Sequence, residues 1–124
     1  MPSSPLSTTV RSLLTTGRGI LAADESLPTI GKRFKAFAIP STEENRRAYR
    51  ELLFTAPALN KSISGAILFD ETIRQKTSAG LPMADFLTQQ GIVPGIKVDK
   101  STTALPGFDG EKITEGLDGL RDRL

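Results

Sequence analysis

Three apolar runs that each close on an aspartate dominate this chain: Gly19 to Ala23 before Asp24, Ile63 to Phe69 before Asp70, and Ile92 to Val98 before Asp99. Polar residues rarely interrupt them, which is the pattern of strands covered on both faces. Helix-forming sequence lies between the runs, and such alternation calls for a parallel sheet with helices outside it. Polar residues gathered at the C-terminal ends of parallel strands are also what a TIM (β/α)8 barrel uses to build its functional face. The expected fold class is therefore α/β, about three parallel strands with helices outside them, arranged as units of such a barrel. Three units cannot close it.

The first run is the most informative, because Gly17 to Arg33 passes from strand through turn to helix start with no intervening linker. Pro28 suits the first helical position, where its missing N–H would have no intrahelical partner. Free N–H groups and the positive end of the helix dipole favour a phosphate at such a point. Ser26, Thr29 and Arg33 are spaced to share one helix face, with Lys32 beside them. Asp24 and Glu25, at the end of the strand, are placed to orient a hydroxyl or a nearby cation. The same residues also have a purely structural reading: Ser26 as a helix cap, Lys32 and Arg33 as a solvated face, Asp24 as a turn residue.

Around this centre the chain reads as follows. Residues 1–16 form a leading tail, Ser/Thr/Pro-rich and frayed from Met1 to Thr9, then a short packing helix marked by Val10, Leu13 and Leu14. Pro40 breaks the chain after Phe34 and Phe37, and Ser41 with Glu44 stands in capping-box register for the next helix. Tyr49, Leu52 and Leu53 supply that helix's apolar stripe, leaving Arg46, Arg47 and Arg50 on its other sides. A further short helix turns Met83, Phe86 and Leu87 inward and stops at Gly91. On the third strand, period-two alternation puts Lys97 on one face with Val93, Gly95 and Asp99. A lysine there needs an anionic partner, which could be Asp99, Asp24 or a ligand phosphate. Leu117, Leu120 and Leu124 fall at helical spacing with no stop signal, so the pattern predicts a helix still running at the last residue and hence a truncated product of a longer protein.

Composition narrows the chemistry. Sixteen basic and fourteen acidic residues leave a net charge of +2, and the bases are interspersed with acids, which argues against nucleic acid as a partner. With no cysteine and no histidine, disulfide and thiolate chemistry and the usual neutral-pH base are absent, leaving Asp, Glu, Lys or Tyr49 for acid–base work. No stretch has the apolar core of a signal peptide or the length of a membrane span, so the expected compartment is the cytoplasm.

Five blocks together carry a family resemblance. Gly-Ile-Leu-Ala-Ala-Asp-Glu-Ser (19–26), Ile-Gly-Lys-Arg (30–33), Thr-Glu-Glu-Asn-Arg-Arg (42–47), Ile-Leu-Phe-Asp-Glu-Thr (67–72) and Gly-Ile-Lys-Val-Asp-Lys (95–100) resemble, in order and spacing, the N-terminal third of the class I, Schiff-base-forming fructose-bisphosphate aldolases. Leu27, Pro28 and Asp70 look more like the bacterial members. The resemblance implies a (β/α)8 barrel that reversibly cleaves fructose 1,6-bisphosphate into dihydroxyacetone phosphate and glyceraldehyde 3-phosphate, with no metal or other cofactor and commonly as a homo-oligomer. It matches Asp24 to an active-site aspartate that contacts a substrate hydroxyl. It matches Ser26, Thr29, Lys32 and Arg33 to the surroundings of a substrate phosphate, Lys97 to a lysine on the phosphate side, and Arg46 to a peripheral substrate-binding arginine. The Schiff-base lysine belongs to later strands, so neither Lys97 nor Lys100 is expected to be the nucleophile. Two readings stay open: part of a glycolytic aldolase, inactive alone, or a noncatalytic sugar-phosphate-binding or association module derived from one.

Overall fold

The computed structural model describes residues 4–124. In order these form helix α1 (Pro5–Leu13), strand β1 (Gly19–Ala23), helices α2 (Leu27–Lys35), α3 (Glu43–Phe54) and α4 (Leu59–Ser62), strand β2 (Ile63–Leu68), helices α5 (Asp70–Ile73) and α6 (Met83–Gln89), and strands β3 (Val93–Ile96), β4 (Thr102–Ala104) and β5 (Lys112–Thr114). Strands β1, β2 and β3 make a parallel sheet in that order, as the repeated runs require. Its last paired row is Ala23, Leu68 and Ile96.

Helices cover one face of this sheet. Phe54 of α3, Met83 and Leu87 of α6, and Ile92 pack with Ala23, Ala66 and Leu68 into the core. Fully burying such a side chain contributes roughly 1.5–3 kcal/mol, so a few of them define the fold's stability. Across the opposite face lies α1. The Ser64 hydroxyl donates to the Leu13 carbonyl at 2.6 Å, satisfying one of the acceptors that a helix end leaves unpaired. A Cβ at Gly65 would stand 2.5 Å from the Leu13 side chain, so that glycine lets the helix approach. The rest of this face is open, with Ile20 half exposed. Among the described residues no helix is long and apolar enough to cross a membrane.

Four expectations need correction. Pro5 to Thr9 are helical, because Ser4 caps α1 by accepting from the Ser7 N–H and Pro5 fits the first turn; Met1 to Ser3 lie outside the described residues. The cap of α3 is Thr42 rather than Ser41: its hydroxyl accepts from the Asn45 N–H, while Ser41 accepts from Arg46. The buried face of α3 carries Arg50 and Phe54, whereas Leu52 is 70% exposed. The shift arises because Arg50 finds an acid to pair with under the sheet.

The fourth concerns the C-terminal segment, which has no helix. The structure instead pairs β4 with β5 in an antiparallel hairpin, Thr103 opposite Ile113, followed by turns. β-branched residues at these positions favour strand, and Pro106-Gly107 and Asp109-Gly110 supply the bends. Leu117 and Leu124 share helical spacing but are both 81% exposed, so no buried face rewards a helix there.

Phe54, with none of its surface exposed, is the centre of the core. The Phe54→Ala chain should lose about 3–5 kcal/mol of stability in urea unfolding with an unchanged denaturant slope. A loss below about 1 kcal/mol would show that the core does not close around this ring.

Candidate functional site

Register and alternation bring two of the candidate residues together. Asp24 follows Ala23 and Lys97 follows Ile96, so the two stand one row beyond the last paired row, on the face shared by Ile20, Ala22, Val93 and Gly95. The Lys97 N–H donates to the Leu68 carbonyl at 2.9 Å and continues the ladder by one step. From there the side chain places its Nζ 3.2 Å from Asp24 Oδ2 and 2.8 Å from Asp99 Oδ2. A single cation thus sits between two carboxylates at the C-terminal end of the sheet.

The electrostatics follow from these contacts. The Asp99 hydrogen bond holds the Lys97 pKa above the usual lysine range, Asp24 adds to this, and partial burial opposes it. Reciprocally, Lys97 holds the Asp99 carboxyl below its usual range, helped by the Ser101 N–H. Lys97 is therefore an ammonium at neutral pH, unsuited to attacking a carbonyl, which needs the free amine. Asp24 can accept a hydrogen bond from a hydroxyl.

Both face a hollow of about 420 Å³ whose far wall is the segment after β5, including Glu115 and Gly116. Sequence reasoning missed this wall. Gly116 has φ of +148°, and a Cβ there would lie 2.4 Å from the Val98 carbonyl oxygen and 2.8 Å from Asp99 Cα. Glycine alone lets the two backbones touch. Arg123 closes the same region by donating to the Lys97 and Val98 carbonyls at 2.7 and 3.3 Å. Nothing in the local pattern around Gly116 or Arg123 signals these contacts. Asp70, at the end of β2, pairs with Arg74, which holds its carboxyl below the usual range, and has Arg123 nearby.

The remaining candidates lie elsewhere and do not share one centre. Ser26 occupies the cap position of α2 without a capping bond, its hydroxyl 3.1 Å from that of Thr29. Arg33 donates to one oxygen of Glu25, and Arg50 donates to the other at 2.6 Å. Arg33 lines a separate apolar hollow with Phe34, Phe37 and Tyr49, away from the cavity of Asp24 and Lys97. Lys32 is exposed. Arg46 is held in a fork by Glu71, with both nitrogen–oxygen distances 2.7 Å, so its guanidinium is occupied structurally. The structure thus joins Asp24 to Lys97, and Ser26 to Thr29; it does not bring Lys32, Arg33 or Arg46 into the first cavity.

Comparison with known proteins supplies the context for this geometry. The family model for fructose-bisphosphate aldolase class-I matches residues 5–124. The chain is 58% identical over its whole length to the probable fructose-bisphosphate aldolase class 1 of Xanthomonas axonopodis pv. citri, of which it covers 37%. It is 56% identical over 115 residues, 93% of its length, to the cytosolic fructose-bisphosphate aldolase 7 of Arabidopsis thaliana, covering 32% of that protein. Among solved structures it resembles the Plasmodium falciparum aldolase crystallised with TRAP and a small-molecule inhibitor, with a TM-score of 0.88 and 54% identity over 94% of this chain and 33% of that one. The chain therefore spans about a third of the length of the relatives it matches.

Because the folded-state pKa of Asp99 is depressed, the unfolded chain binds more protons in acid. The pair's stabilisation is then complete above the ordinary aspartate value near about 4 and fades as pH falls through the lower folded value. In a carboxyl NMR titration, Lys97→Met should move the Asp99 midpoint upward toward that ordinary value. An unmoved midpoint would refute the pairing.

Proposed function

The chain belongs to the class I fructose-bisphosphate aldolase family, and from that membership we propose that it forms the first wall of a glycolytic aldolase site, acting reversibly on fructose 1,6-bisphosphate. Its parallel sheet is a partial barrel of that fold. The observation that carries the reading is the Asp24–Lys97–Asp99 row, a fixed cation flanked by carboxylates over a hollow at the C-terminal end of the strands. That end is where such barrels keep their chemistry.

In this reading Asp24 accepts a hydrogen bond from a sugar hydroxyl and Lys97 faces the phosphate side. Ser26 and Thr29 contribute to the surroundings of a phosphate at the start of α2, with Lys32 and Arg33 in that helix's last turn as more distant cations and Arg46 peripheral. A lysine amine elsewhere in the barrel condenses with the substrate ketone, losing water. A base takes the proton of the C4 hydroxyl as the carbon–carbon bond breaks, and the iminium accepts the electron pair to become an enamine. Glyceraldehyde 3-phosphate leaves, and the enamine is protonated back to an imine that water hydrolyses to release dihydroxyacetone phosphate. The Asp24 and Asp99 carboxylates beside Lys97 favour its ammonium form and so count against that role. The complete enzyme is a cytoplasmic homo-oligomer in this proposal.

A second reading, a noncatalytic sugar-phosphate-binding or association module, is favoured by one observation: the sheet face around Ile20 is half exposed and apolar. The role given to Lys97 is tested on the isolated chain. Incubated with dihydroxyacetone phosphate and borohydride, the isolated chain should yield no covalent adduct, and a stoichiometric adduct on Lys97 would overturn the assignment of roles. Calorimetric titration with fructose 1,6-bisphosphate should show saturable binding weakened about tenfold or more by Lys97→Met, the loss of one charge-assisted contact. Equal binding by both chains would remove Lys97 from the site.

A further inference from the structure

We propose that Arg50 is a positioning residue for Asp24: from beneath the turn that follows β1, its guanidinium clamps Glu25 and thereby aims the neighbouring Asp24 carboxylate at Lys97. The reading of Asp24 as a substrate-facing group gives this its purpose, and the proposal rests on it only to that extent.

The geometry is that of a clamp. Arg50 Nη1 donates to Glu25 Oε2 at 2.6 Å and Nη2 donates to the Glu25 backbone carbonyl at 3.0 Å. One planar group thus grips both the side chain and the main chain of the residue adjoining Asp24. The grip on the carbonyl matters most, since together with the side-chain contact it fixes Glu25 at both its main chain and its carboxylate and so anchors the chain directly after Asp24. Arg33 takes the other Glu25 oxygen, so neither oxygen is free to swing. On the far side the Tyr49 ring centroid lies 5.4 Å from the guanidinium carbon, and Tyr49 is itself braced edge-on by Phe34. The charged groups that act on Arg50 are Glu25 and Asp24, with Tyr49 alongside.

Stability alone is a poor reason to place an arginine there. Arg50 is 2% exposed, and its Nε is buried without a hydrogen-bond partner among the described residues. Burying a guanidinium with a donor unmatched is costly, and apolar replacement of a whole buried pair is often neutral or better. Phe54, one turn along the same helix, shows that the core accepts an apolar side chain on this face. What a leucine or methionine at position 50 would lack is the two-point hold on Glu25.

The test is a mutant cycle read without ligand on the 124-residue chain. The Lys97 ammonium is titrated by nitrogen-15 NMR with and without Asp24→Asn, in the wild-type background, in Arg50→Lys, and in the double replacement Arg50→Met with Glu25→Gln. The last leaves no buried charge unpaired, so it keeps the test available if the lysine variant fails to fold. In the wild-type background Asp24→Asn should lower the Lys97 midpoint. In the altered backgrounds the same substitution should move it by less than half as much, because an unclamped Asp24 no longer points at Lys97. Equal shifts in all folded backgrounds, whatever their thermal stabilities, would reduce Arg50 to a structural residue and overturn the proposal. Failure of the wild-type chain to bind fructose 1,6-bisphosphate would overturn the functional reading alone.

Discussion

Parallel pairing of β1, β2 and β3 places Ala23, Leu68 and Ile96 in one row, and the site depends on that register. Side chains alternate faces along each strand, so Asp24 and Lys97 meet only because both follow that row by one residue. A slip of one residue in either outer strand would turn one of them toward the helices. The slip is resisted by burial: Ala23 and Leu68 are sealed against Phe54 and Met83, and reversing the faces would send these apolar side chains into water. The hydrophobic core and the charged row are therefore one specification written on opposite faces of the same sheet.

Much of this was legible in the sequence, and the reason is local. Runs such as Ile63 to Leu68 and the Ser26-Leu27-Pro28 helix start carry their structure in residue types a few positions apart, so alternation and capping rules suffice. Lys97 was recognisable as a residue in need of an anion because an uncompensated charge on a buried strand is costly. Arg50 was misplaced on the surface because its partner, Glu25, lies 25 residues earlier, and helix periodicity contains no information about distant acids. The hairpin of β4 and β5 was overlooked for a related reason. Leucines at helical spacing make a helix only where something covers them, and Leu117 and Leu124 are uncovered.

Asp24 and Glu25 illustrate how adjacent identical chemistries come to serve opposite ends. Successive residues leaving a strand point to opposite faces, so one carboxylate goes to the open end of the sheet and the other goes under it. Asp24 remains partly exposed beside a cation that is itself accessible. Glu25 is nearly enclosed by two guanidiniums, one of them buried. A carboxylate in the second situation has its acceptor sites taken and can orient only what is covalently attached to it, whereas one in the first can still meet a hydroxyl from solution.

The same reasoning bears on the chemistry open to Lys97. A Schiff base needs an amine that is unprotonated part of the time, and enzymes obtain one by burying it or placing it beside another cation. Lys97 has the reverse surroundings, two carboxylates within 3.2 Å, which favour its charged form. The Ser101 N–H also donates to Asp99, which helps to fix that carboxylate beside Lys97. A strand end built this way keeps its lysine charged and fixed in place, the opposite of what a nucleophilic amine requires.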